Sequence, residues 1–110
     1  MDLSVHFPDG DLVADVHAQS DCPFAQDPGA GLFVLGSFSP GPAFARIRAM
    51  LDAFQAVFDR GDFGQASELH DEIDRLRLLA TDSAGNVYGV RNVVFQEGGL
   101  LFCAHPTSAA

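Results

Sequence analysis

The sequence predicts an α+β fold in the order ββ-β-αα-βββ, a mostly antiparallel β-sheet with an antiparallel two-helix hairpin packed on one face. Three observations lead there. Apolar residues alternate with polar ones near the N-terminus and form short β-branched and aromatic runs near the C-terminus. Between residues 42 and 80 they recur instead at helical spacing. Turn-forming Gly, Asp and Pro stand where the strands must reverse. At 110 residues the chain makes a single α+β domain, 1–110, and 47 % hydrophobic residues supply a core without covalent staples.

The first element is a hairpin. Leu3, Val5 and Phe7 alternate with Ser4 and His6, and Leu12, Ala14, Val16 and Ala18 alternate with Val13, Asp15 and His17. Pro8-Asp9-Gly10-Asp11 lies between them, and Asp9-Gly10 suits a two-residue turn. That turn sets Phe7 against Leu12, Val5 against Ala14 and Leu3 against Val16, so turn chemistry and apolar alternation choose one register. Residues 19–31 read as a loop, broken by Pro23, Pro28, Gly29 and Gly31. Leu32 to about Phe38 reads as a buried strand, stopped by Ser39-Pro40-Gly41-Pro42.

A helix is expected from Pro42 to Arg60, with Phe44, Ile47, Leu51, Phe54 and Phe58 in its apolar stripe and Gly61 as its stop. Asp62 caps a second helix, with Gln65 in the capping-box position. Phe63, Ala66, Leu69, Ile73, Leu76 and Ala80 line its apolar face. The short Arg60-Gly61-Asp62 link makes the pair antiparallel. The chain then returns to strands, with a turn at Asp82–Asn86, a long strand from Val87 to Phe95 kinked at Gly89, and a final strand over Leu100–Ala104.

Residues 59–76, with Asp62-Phe63, Ala66, Leu69, Glu72-Ile73 and Leu76, resemble the helical hairpin called the UVR motif, a protein–protein contact module. The likeness covers under a third of the chain. His70 stands where the motif usually carries a basic residue, and Gly64 is a poor helix former. Any capped amphipathic hairpin shares the pattern, and no family is assigned from it.

Charge excludes some functions. There is no lysine, six carboxylates precede the first arginine at Arg46, and the net charge is -9. Nucleic acid and anionic membrane surfaces need Lys or Arg clusters, so neither is an expected partner. A basic protein or a neutral or cationic ligand remains. The N-terminus lacks a basic region followed by a long apolar one, and Cys22 and Cys103 show neither metal nor redox spacing. A cytoplasmic protein with reduced thiols is expected.

The candidate residues follow from this layout. The outward side of the first hairpin carries Asp2, Ser4, His6, Asp15 and His17, with Ser4 opposite Asp15, His17 opposite Asp2, and His6 diagonal to Asp15. His with Asp supports acid–base chemistry or a divalent metal. Nothing else in the sequence points to a reaction there, so His6, Asp15 and His17 read first as a solvated polar face. No catalytic residue, metal site or cofactor is assigned. Glu68, Asp71, Glu72 and Asp74 form an acidic helix face suited to a basic partner. The last hairpin is apolar on both sides, with Val93, Phe95 and Phe102 on one and Val94, Leu101 and Cys103 on the other. Two helices cover only one side of a sheet, so Val94, Leu101 and Cys103 are expected in a homodimer contact.

The leading expectation is a non-enzymatic interaction or regulatory domain, of the inhibitor or immunity type, that binds a basic partner. The alternative is a small-ligand binder with a Phe-rich pocket between helices and sheet, favouring neutral or cationic ligands, with residues 19–31 as its lid.

Overall fold

The computed structural model describes residues 2–18, 32–96 and 99–106. The expected loop 19–31 with Cys22, and residues 1, 97–98 and 107–110, lie outside the described residues. The elements are β1 (Asp2–His6), β2 (Leu12–Ala18), β3 (Leu32–Pro40), α1 (Ala45–Asp59), α2 (Phe63–Arg75), β4 (Leu79–Asp82), β5 (Val87–Gln96) and β6 (Gly99–Pro106). Helix and strand content and the element order match the sequence-based expectation.

The sheet itself does not stay open. Its strands run β1-β2-β3-β6-β5-β4, and β4 pairs back onto β1, closing an antiparallel barrel. This corrects the picture of a sheet with one helix-covered face. Inward side chains cover one another across the barrel. Leu3 and Val16 form one inward row with Phe38, and Val5 lies between Ala14 and Ala80. Val34 pairs with Phe102, and Val90 with Ala104. Val93 and Phe102 are buried within the single chain, without a second subunit.

Two of the three expected pairs of the first hairpin form, Val5 with Ala14 and Leu3 with Val16, but Leu12 faces His6 and not Phe7, and the route is unexpected. Gly10 N–H donates to the Phe7 carbonyl at 2.9 Å, and Phe7 N–H donates to the Asp11 carbonyl at 2.9 Å. The loop is therefore Pro8-Asp9-Gly10, three residues long, and Gly10 takes the left-handed position at φ +98°. Proline's fixed φ suits the first corner of such a turn. An extra loop residue would turn every β2 side chain to the wrong side. A bulge absorbs it: His6 pairs with Leu12 but Val5 pairs with Ala14, so Val13 is skipped. Both Val13 and Ala14 are buried. The Asp82–Asn86 turn has the same form, with Gly85 at φ +89° and Asp82 N–H donating to the Asn86 carbonyl at 3.1 Å.

α1 starts at Ala45 rather than Pro42. Residues 42–44 form turns, with Phe44 N–H donating to the Gly41 carbonyl at 3.1 Å. It ends as expected. Gly61, at φ +78°, donates to the Phe58 carbonyl and Asp62 N–H donates to the Val57 carbonyl, the paired bonds of a glycine stop. Asp62 caps α2 by accepting from Gln65 N–H at 3.2 Å. Phe58 meets Phe63 and Phe54 meets His70, so the contacts run in opposite directions along the two helices.

The helices meet the barrel where β1 and β4 stop and the longer β5 runs on. Ala43 N–H donates to the Leu12 carbonyl at 2.9 Å. The Phe44 ring lies 5.1 Å from Phe38 and 6.2 Å from Phe95. β4 pairs with β5 only over Val87–Gly89. Farther along β5, Asn92 N–H is met by the Asp74 carboxylate of α2 at 2.9 Å. The irregularity in β5 falls between Arg91 and Val94, with Asn92 at φ +59°, and not at Gly89 as expected.

Candidate functional site

Strand alternation puts Asp2, Ser4 and His6 of β1 outward, beside Asp15 and His17 of β2. The register joins the pairs expected from the turn. Ser4 Oγ donates to Asp15 Oδ1 at 3.0 Å, and His17 Nδ1 lies 2.5 Å from Asp2 Oδ1. That bond and the charge of His17 hold the Asp2 carboxyl below the usual carboxylate range. His6 departs from expectation and does not turn to Asp15. Its Nδ1 lies 3.0 Å from the Phe7 carbonyl and its Nε2 3.0 Å from Thr81 Oγ1. A carbonyl only accepts, so Nδ1 carries the proton, and in the neutral ring Nε2 accepts from the Thr81 hydroxyl. The β1–β4 pairing that closes the barrel brings Thr81 within reach, and the sequence alone gives no sign of it.

Asp2, Ser4, Asp15, His17 and Thr81, but not His6, line a depression of about 440 Å³ that also takes in Ser39 and Asp82. Asp82 is its most heavily bonded member. It accepts from the backbone N–H groups of Ala84 and Asn86, the Asn86 side-chain amide and the Tyr88 hydroxyl. These bonds, led by those from Asn86, lower its carboxyl from the ordinary value of 3.8. Tyr88 is raised above 10.0, chiefly by burial and then by Asp82. Asp82 is thus committed to its own turn. His17 and Asp2 are 75 % and 76 % exposed, which leaves their pair in water and adds little to stability. Among the described residues, no group of three or more His, Cys, Asp or Glu side chains is arranged to hold a metal.

The acidic face of α2 divides. Glu68, Asp71 and Glu72 are exposed, whereas Asp74 is half-buried and tied to Asn92. At the tip of the helical hairpin, Phe58 is 48 % and Phe63 63 % exposed. Both were expected in the apolar stripes. They lie beside the hairpin turn and pack on each other at 5.4 Å, edge to face.

Val94 and Leu101 pair across β5 and β6 on the outer side of the barrel, and Leu35 of β3 pairs with Leu101. Cys103 stands opposite Arg91 and takes a weak bond from the Asn92 amide at 3.7 Å. All four are half-buried. Where the helices meet the barrel, Phe38, Phe44 and Phe95 cluster with ring centroids 5.1–6.2 Å apart. A second depression, of about 520 Å³, lies between the end of α2 and β4, β5 and β6. Arg75, Arg77, Arg91 and His105 line it. The sequence reading missed it, because Arg91 comes beside Arg75 and Arg77 only once β5 has paired back onto β4.

Compared with models of protein families, with curated proteins and with solved structures, the chain matches none of them.

Proposed function

We propose that this chain is a non-enzymatic protein-interaction domain, in which a closed barrel presents the tip and exposed side of its helical hairpin to a basic partner. The observation that carries this reading is the exposed aromatic pair Phe58 and Phe63 at the tip, on the hairpin whose second helix exposes Glu68, Asp71 and Glu72. Water gains from covering two aromatic rings, and aromatic anchors dominate protein interfaces. The neighbouring carboxylates and a net charge of -9 steer cationic surfaces toward them. Asp74 belongs to the fold more than to the contact, because it already holds Asn92. The outward row Leu35–Leu101–Val94, with Cys103 beside it, supports self-association of the same domain as a homodimer. A cytoplasmic setting fits this role and remains part of the proposal.

The test uses displayed peptides rich in Lys and Arg that carry one large apolar residue. Peptides selected on the wild-type domain are titrated against Phe58→Ser with Phe63→Ser, and against Glu68→Gln with Asp71→Asn and Glu72→Gln. Each set should weaken binding about tenfold or more, a loss of about 1.4 kcal/mol, and the charge set should also flatten the salt dependence. Equal affinity for wild type and both variants would remove the hairpin as the contact surface.

A further inference from the structure

The six arginines are the only permanent cations among the side chains. Arg46 pairs with Asp11 at 3.1 Å and Arg48 with Asp52 at 3.8 Å. Arg75, Arg77 and Arg91 make no ion pair with any described residue, yet all three line the depression of about 520 Å³. Half of the arginines therefore gather without carboxylate partners in one place on a strongly acidic chain.

The floor of this groove is built for access. Leu79, Gly89 and His105 form one outward cross-strand row over β4, β5 and β6. Gly89 contributes no side chain, and the His105 ring lies across it, so a Cβ at position 89 would stand 3.0 Å from His105 Nε2. The α2 side carries Asp71 and Asp74 beside Arg75. Arg75, in the last turn of α2, also offsets the partial negative charge of that helix end. Arg91 sits on a strand and has no such role.

Arg77 carries the sharpest signal. It ends α2 at φ +56°, with its N–H donating to the Asp74 carbonyl at 3.1 Å. Glycine normally takes that position because a Cβ is strained there. The same chain ends α1 with Gly61 at φ +78°. Where the stop faces the groove, it bears an arginine in spite of the strain, and strain held at one position points to use of the side chain.

We infer that this groove binds a small phosphorylated ligand through Arg75, Arg77 and Arg91. Guanidinium forks match phosphoryl oxygens, and the groove is far roomier than one phosphate needs. Asp71 and Asp74 set a second requirement. The body of the ligand offers a cationic or donor group and not further acid, so an amine-bearing phosphomonoester is preferred over a bare polyanion.

The test is thermal melting and NMR titration of the whole domain with inorganic phosphate and with phosphoethanolamine, against sodium chloride at matched ionic strength. Wild type should show saturable binding of both, tighter for phosphoethanolamine, with shifts centred on residues 75–79, 89–91 and 105. Arg77→Gly should melt a few degrees higher, since the strain is relieved, and should bind about tenfold more weakly or worse. Arg91→Gln should lose binding to a similar degree without a change in melting. Non-saturable responses equal to those of sodium chloride, or unchanged affinity in both variants, would overturn the inference. Its failure leaves the hairpin proposal standing, because neither variant alters Phe58, Phe63 or the carboxylates of α2.

Discussion

At the scale of single residues, the fold depends on groups whose importance comes from what they touch. Gly36 lies in β3 opposite Ala18. A Cβ there would stand 2.1 Å from the His17 carbonyl oxygen and 2.9 Å from Ala18 Cα, both backbone atoms that have little freedom to move. Gly36→Ala should therefore cost about 3 kcal/mol, read as a lower midpoint in urea unfolding. Gly10 and Gly85 have open space instead, and their role is the left-handed turn position alone. Composition marks those two glycines as turn residues, because Asp precedes or opens each turn. It does not mark Gly36, since the close approach of β2 exists only after folding.

Asp82 gives a pH prediction at the same scale. Its folded pKa is lowered by bonds from Asn86, Tyr88 and Ala84. The folded state thus favours the carboxylate more than the unfolded chain does. The resulting stability is fully present above the unfolded value near 3.8 and is lost as pH falls through the lower folded value. Asp82→Asn should be less stable than wild type at neutral pH, and the gap between their melting temperatures should narrow below pH 4. A gap that stays constant with pH would show that the carboxylate charge is not what the turn uses.

At the scale of elements, local signals and their compensations decide the outcome. The helical hairpin is legible because Gly61, Asp62 and the apolar spacing agree. Gly61→Ala keeps open space around the new Cβ, so its cost should be backbone strain alone, about 1 kcal/mol by urea unfolding. The first hairpin shows how a sequence reading reaches most of the right pairs with the wrong turn, losing only the Phe7–Leu12 pair nearest the loop. A three-residue loop and the bulge at Val13 cancel, which leaves Leu3 against Val16 and Ser4 against Asp15. The Asp2–His17 and Ser4–Asp15 contacts were legible for that reason. The Thr81 bond to His6 was not, because it depends on β1 pairing with β4 across 75 residues.

At the scale of the whole molecule, apolar patterning says which side of a strand is dry but not what dries it. Val93, Phe95 and Phe102 called for a cover, and the expected cover was a pair of helices on one face. The molecule uses its own opposite wall, through the β3–β6 and β1–β4 pairings. That frees part of the helical hairpin from core duty and leaves Phe58 and Phe63 in water. The arginine groove needs neither of those pairings, since it lies where the end of α2 meets the successive strands β4, β5 and β6. No local motif encodes it.

The proposed contact surface is the hairpin tip with the exposed side of α2. The most direct measurement is a map of backbone amide shifts by NMR as a selected basic peptide is added to the full domain. The largest changes should fall between Phe58 and Glu72, with little change across β1 and β2. Changes centred on the Asp2, Asp15 and His17 face, with residues 58–72 unmoved, would contradict it.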